Sequence, residues 1–166
     1  MEQNKYISQA IKFGIILGLS RVLLDISIKF FDANTLIFNL SAIIGLTLEF
    51  IFIFLVIKFY QEKEPNLTIK DAVKTSIIMM MITGALLFLS INFYHPEYAQ
   101  NKLIELTKQV QPNQLESIMD SIKQAKENPS YISNLATTLV KFIMIGAVLG
   151  FLSGLIVTFS KPKKTY

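Results

Sequence analysis

The stretch LIFNLSAIIGLTLEFIFIFLVIKFY, residues 36–60, carries one charged side chain, Glu49, before Lys58 near its end. About 20 apolar residues in a helix suffice to cross the hydrocarbon core of a bilayer, so this stretch reads as a membrane span. Three further stretches read the same way: residues 6–31, residues 72–94 around SIIMMMITGALLFLSINFY, and residues 135–159. The composition agrees. Hydrophobic residues make up 52% of the chain, charged residues 17%, and the mean hydropathy is +0.47. A soluble domain carries roughly 25% charged residues, and a helical bundle in water would need more polar surface than this chain has.

Glycine and proline divide the sequence. All seven glycines (14, 18, 45, 84, 146, 150 and 154) fall inside the four stretches, and all five prolines (65, 96, 112, 129 and 162) fall between or after them. Glycine inside a soluble helix costs about 1 kcal/mol against alanine. In lipid it lets two helix backbones approach closely, which matters where the hydrophobic effect does not drive helices together. GAVLGFLSG, residues 146–154, therefore predicts a flat seam at Gly146, Gly150 and Gly154, and GIILG predicts a second at Gly14 and Gly18. Spacing alone does not say whether these seams meet each other, another helix or a second copy of the chain.

Lysines set the expected sidedness. Lys5 and Lys12 flank or open the first span, Lys58, Lys63, Lys70 and Lys74 surround the second connection, and Lys161, Lys163 and Lys164 follow the fourth span. The opposite side has Lys29 at a short connection and the segment 95–133, with four lysines against five acids. By the positive-inside rule both termini are expected in the cytoplasm. Tyr6, Tyr60, Tyr94 and Tyr131 lie at or near span ends, where an amphipathic ring suits the headgroup zone. Lys141 points away from the glycine seam and is expected to reach toward the outer surface. The first span is long, carries internal charges and lacks a small-residue cleavage site, unlike a signal peptide.

The segment 95–133 reads as two short helices broken at Pro112 and closed at Pro129. Leu115, Ile118, Met119 and Ile122 give the second an apolar stripe suited to a bilayer surface or to the end of a bundle. Asn113 with Glu116 three residues on predicts a capping box.

Three charges fall well inside the spans: Arg21 and Asp25 in the first, Glu49 in the second. Each costs at least about 2.5 kcal/mol at a helix centre unless paired. Gly14, Gly18, Arg21 and Asp25 share one helix face, as do Ala42, Gly45 and Glu49. At 1.5 Å per residue, Arg21 lies roughly 22 Å and Glu49 roughly 16 Å from the cytoplasmic ends of their spans. The expectation is a buried cluster in which the Arg21 guanidinium is held by Asp25 and Glu49. Such a cluster either fixes helix pairing or serves a transported proton or cation.

No HExxH, GxSxG or P-loop is present, cysteine is absent, and His95 is the only histidine. Neither an enzyme, a metal site nor a cofactor is expected. The formal charge of +4 is scattered and leaves no nucleic-acid footprint.

KFGIILGL opening the first span, LTIKDAVKTSI leading into the third, FYHPEY leaving it and GFLSGLIVTFSKPKK closing the chain give a sequence that resembles the four-span membrane proteins of domain-of-unknown-function family 4199, found mainly in Bacteroidota. The resemblance runs through nearly the whole chain. It implies a bacterial integral membrane protein without assigned activity and transfers no role to Arg21, Asp25 or Glu49.

The expected protein is thus an all-α, four-helix membrane bundle in the bacterial cytoplasmic membrane, with a helical extracytoplasmic segment. Its expected work is that of a non-enzymatic scaffold or accessory subunit. It would pack through Gly14, Gly18, Gly45, Gly146, Gly150 and Gly154 against a membrane-protein partner or a second copy. The alternative is a small transporter or channel subunit using Arg21, Asp25 and Glu49.

Overall fold

Helix boundaries follow local capping chemistry. A computed structural model describes residues 2–32, 34–64, 67–127 and 130–160, giving only the backbone for 2–6, 35, 39 and 125–127. Lys161, Lys163, Lys164, Pro65, Pro129, Pro162 and the side chains of Lys5, Tyr6, Lys126 and Glu127 lie outside the described residues. In chain order the helices are α1 (Glu2–Phe30), α2 (Thr35–Lys63), α3 (Ile69–Phe93), α4 (Tyr98–Val110), α5 (Leu115–Glu127) and α6 (Tyr131–Phe159). No strand occurs among the described residues. Asn34 caps α2 by accepting from the Ile37 amide at 2.9 Å. Thr68 and Asp71 form a reciprocal capping box at the start of α3. The box expected at Asn113 does not form. Pro112 opens a 3-10 turn over Pro112–Gln114, Gln111 takes the cap position, and Asn113 falls inside the turn.

α2, α3 and α6 are each long and apolar enough to cross a membrane. α1 is equally long, but Lys12, Arg21, Asp25 and Lys29 interrupt its apolar character, and it is not among the three.

α3 is the element around which the others pack: α6 lies along it antiparallel and α1 parallel, while α2 touches α6 and α1 more lightly. The glycine spacing explains the two close contacts. A Cβ at Gly146 would meet the Met80 Cβ, the Ser76 carbonyl and the Ile77 Cα at 3.0–3.1 Å. One turn on, a Cβ at Gly150 would overlap the Ser76 hydroxyl, and at Gly154 it would press on Ala72. On another face of α3, Gly14 sits against the Met79 backbone and Gly18 against Thr83 and Leu86. Both seams are therefore filled by α3 of the same chain. Small hydroxyls fasten each: Ser76 Oγ donates to the Gly146 carbonyl at 2.8 Å, and Thr83 Oγ1 to the Met79 carbonyl at 3.0 Å and the Gly14 carbonyl at 3.4 Å.

Leu17, Ile53, Ile57, Met79 and Met80 fill the apolar centre. Tyr60 packs into this core, because the helix carries it to the face of α2 that bears Ile53 and Ile57. Tyr131 and Lys141 are exposed.

Overpacking a tight contact costs about 1–3 kcal/mol. Gly146→Val, pressed against α3 backbone, should lower the melting temperature of the detergent-solubilised protein more than Gly84→Ala. The three atoms nearest a Cβ at Gly84 all belong to the Phe142 side chain, at 2.8–3.0 Å, and none to a backbone. Circular dichroism melts of the two variants check the order.

Candidate functional site

Above its glycines, the same face of α1 becomes charged: Arg21, Asp25 and Lys29 follow at single-turn spacing. Arg21 reaches α2, where its Nε lies 2.9 Å from Glu49 Oε1, with the two side chains 14% and 3% exposed. Gly45, one turn before Glu49, makes this possible. A Cβ there would overlap the guanidinium carbon and its terminal nitrogens. The glycine makes room for a charged side chain here, whereas the other two seams bring α1 and α6 close to α3.

Asp25 does not join this pair. Its Oδ2 lies 2.8 Å from Lys29 Nζ and accepts from Ser90 Oγ at 2.7 Å. Lys29 donates onward to the Tyr94 carbonyl at 2.9 Å, in the C-cap of α3, and lies 5.9 Å from the Tyr94 ring centroid. A lysine at that position also complements the negative end of the α3 dipole. The expected trio is thus replaced by two pairs. Arg21 with Glu49 ties α1 to α2; Asp25 with Lys29 ties α1 to α3.

Lys29, read from the sequence only as a lysine at a short connection, also belongs to the site; it is buried. Its spacing four residues after Asp25 was the available signal. Ser90 and the Tyr94 carbonyl, 65 residues away in sequence, had none.

A cavity of about 200 Å³ lies against these groups, between α1, α2, α3 and the turn into α4. Arg21, Asp25, Lys29 and His95 contribute its polar lining, and Leu24, Ile28, Phe38 and Leu87 its apolar walls. His95 adopts φ 48°, in the left-handed region, and reverses the chain at the end of α3. Its ring meets Tyr94 edge-on at 4.7 Å.

α4 covers this end. Tyr98 donates to the Ile28 carbonyl at 3.4 Å and its ring packs on Phe38. Lys102 bridges Asp32 at 3.2 Å and Glu105 at 3.3 Å. Burial alone would lower the Lys102 pKa, but hydrogen bonds to Asp32 and Glu105, together with their charges, raise it above the ordinary lysine value. The Tyr98 hydroxyl is also raised, first by burial and then by Asp32 and Glu105, against Lys102. α5 contacts α4 and the turn before it, and its residues Leu115, Ile118 and Ile122 are half-buried while Met119 is exposed.

Two outcomes follow. Gly45→Val should displace Arg21 from Glu49 and destabilise the solubilised protein by several kcal/mol, as breaking a buried pair does (about 3–5 kcal/mol); thermal melting beside Gly84→Ala measures it. Raised folded-state pKa values for Lys102 and Tyr98 stabilise the docked α4 below their ordinary values, and that contribution is lost as pH rises through the folded values. Proteolysis within α4 and α5 should therefore stay slow at neutral pH and accelerate in strongly alkaline solution. Lys102→Met should speed proteolysis already at neutral pH and flatten its alkaline rise, because the ion pair with Asp32 is gone at every pH.

No curated protein and no solved structure matches the chain. The sequence model of one family matches residues 12–159, a range that holds every residue of the two ion pairs and of the cavity. The chain belongs to that family, described as Protein of unknown function (DUF4199).

Proposed function

We propose that this is a non-enzymatic integral membrane protein of four spans, in which α1 joins α2, α3 and α6 as a four-helix bundle. Both termini lie on the cytoplasmic side of a bacterial inner membrane, and the chain serves as a scaffold or accessory subunit. The observation that carries the reading is that both buried ion pairs close within the chain and each clips α1 to a neighbour. Charges arranged this way fix helix pairing.

The geometry of the ends supports the sidedness. The α1–α2 turn and α4 share one end, joined by Lys102 and Asp32. The lysine-bearing α2–α3 connection shares the other with the end of α6, where Gly154 meets Ile69 and Ala72. With both glycine seams occupied by α3, a partner or second copy would meet the apolar outer faces. On α2 these expose Ile43, Ile44, Ile51 and Leu55.

The second reading, a small transporter or channel subunit, is favoured by one observation: the cavity beside Arg21 and Asp25. Two measurements separate the readings, and a third tests the sidedness. Crosslinking in native membranes should capture a recurrent membrane-protein partner. Sealed vesicles holding the purified protein should show no proton or cation flux above empty vesicles; flux abolished by Glu49→Gln would establish the second reading instead. Because the chain has no cysteine, Ser130→Cys should be labelled by an impermeant reagent from outside the cell, and labelling only from inside would reverse the orientation.

A further inference from the structure

The two ion pairs leave an unclosed gap between them. Arg21 has five N–H donors, of which one carboxylate takes at most two. Glu49 lies behind it and is almost fully buried, while Arg21 keeps 14% of its side-chain exposure and lines the cavity. Asp25 uses a single oxygen, Oδ2, for both Lys29 and Ser90. Its side chain keeps 22% exposure, also lines the cavity, and has Oδ1 uncommitted among the described contacts. Arg21 and Asp25 sit on successive turns, about 6 Å apart along the helix, and form no ion pair with each other. One wall of the cavity thus presents Arg21, with N–H donors that Glu49 does not take, and one turn on a carboxylate oxygen of Asp25 that neither Lys29 nor Ser90 uses.

From this arrangement we infer that the cavity is a binding site for a small zwitterion, an α-amino acid with an aliphatic side chain. Its carboxylate accepts from the free edge of the Arg21 guanidinium, and its ammonium donates to Asp25 Oδ1. Leu24, Ile28, Leu87 and Ile91 receive the side chain.

Charge balance selects this class. Arg21, Lys29, Asp25 and Glu49 sum to zero, so a guest with net charge would leave an unbalanced charge in a low-dielectric interior, where that is costly. A zwitterion keeps the sum at zero and satisfies both spare groups. The lining selects within the class: about 200 Å³ gives room for a small amino acid, and the walls of Leu24, Ile28 and Leu87 suit an aliphatic side chain. The inference goes beyond the scaffold reading and stands apart from it, since partner capture and ligand binding are read by different experiments.

The test uses the full chain in lipid nanodiscs and follows its melting temperature against added alanine, valine or leucine. Isovalerate and isobutylamine, which are valine without its amine or without its carboxylate, are run beside them. At least one of the three amino acids should give a saturable rise, and each single-charge analogue should bind about tenfold more weakly or worse, as loss of one ionic contact implies. Ala42→Phe and Ala99→Phe, which place bulk in the cavity from α2 and from α4, should each abolish the rise. The inference is overturned if no amino acid shifts the melt or if isovalerate or isobutylamine matches valine. It is equally overturned if the shift survives in whichever phenylalanine variant folds.

Discussion

A charge held away from water must meet an opposite charge, and in this chain that requirement determines how α1 sits. Its glycines would let it pack on almost any flat helix, whereas Arg21 and Lys29 have acceptors only where Glu49, Asp25 and the Tyr94 carbonyl are placed. The pairs turn a poorly apolar helix into one that is stable beside α2 and α3. Stripped of those neighbours, α1 would expose several unpaired charges, each costing at least about 2.5 kcal/mol in lipid on insertion scales. As a membrane span α1 would therefore be stable only within the assembled chain.

The two halves of α1 use different chemistry against the same helix. Near its start, Gly14 and Gly18 press on the α3 backbone with little directional bonding beyond Thr83. Near its end, Asp25 and Lys29 hold Ser90 and Tyr94 through short polar contacts. Close packing sets the distance between the helices, and the polar clip sets their register. α6 needs no such clip: its three glycines and the Ser76 bond to Gly146 serve both purposes.

The helices and their apolar runs were legible in the sequence because length, hydropathy and the glycine–proline division are local properties. So were the membership of Gly45 and Glu49 in one face and the approach of Arg21 toward them. What α3 does was not legible. Ser76, Met80 and Thr83 look like ordinary residues of an apolar run, and only the assembled fold shows two glycine seams meeting one helix. Asp25 was assigned to Arg21 because the two lie four residues apart on one helix face, yet Lys29 competes at the same spacing from one turn on and Ser90 reinforces it from a distant element. The burial of the Tyr60 ring was not legible either: proximity to a span end does not say which way a ring faces.

The most direct measurement is a double-mutant cycle on Arg21 and Glu49, with Arg21→Met, Glu49→Met and both together melted in lipid nanodiscs. The account predicts that either single change is strongly destabilising and that the double change recovers a large part of the loss, because it removes both charges at once. Additive losses, or singles as stable as the parent, would show that the ion pair does not hold α1 to α2.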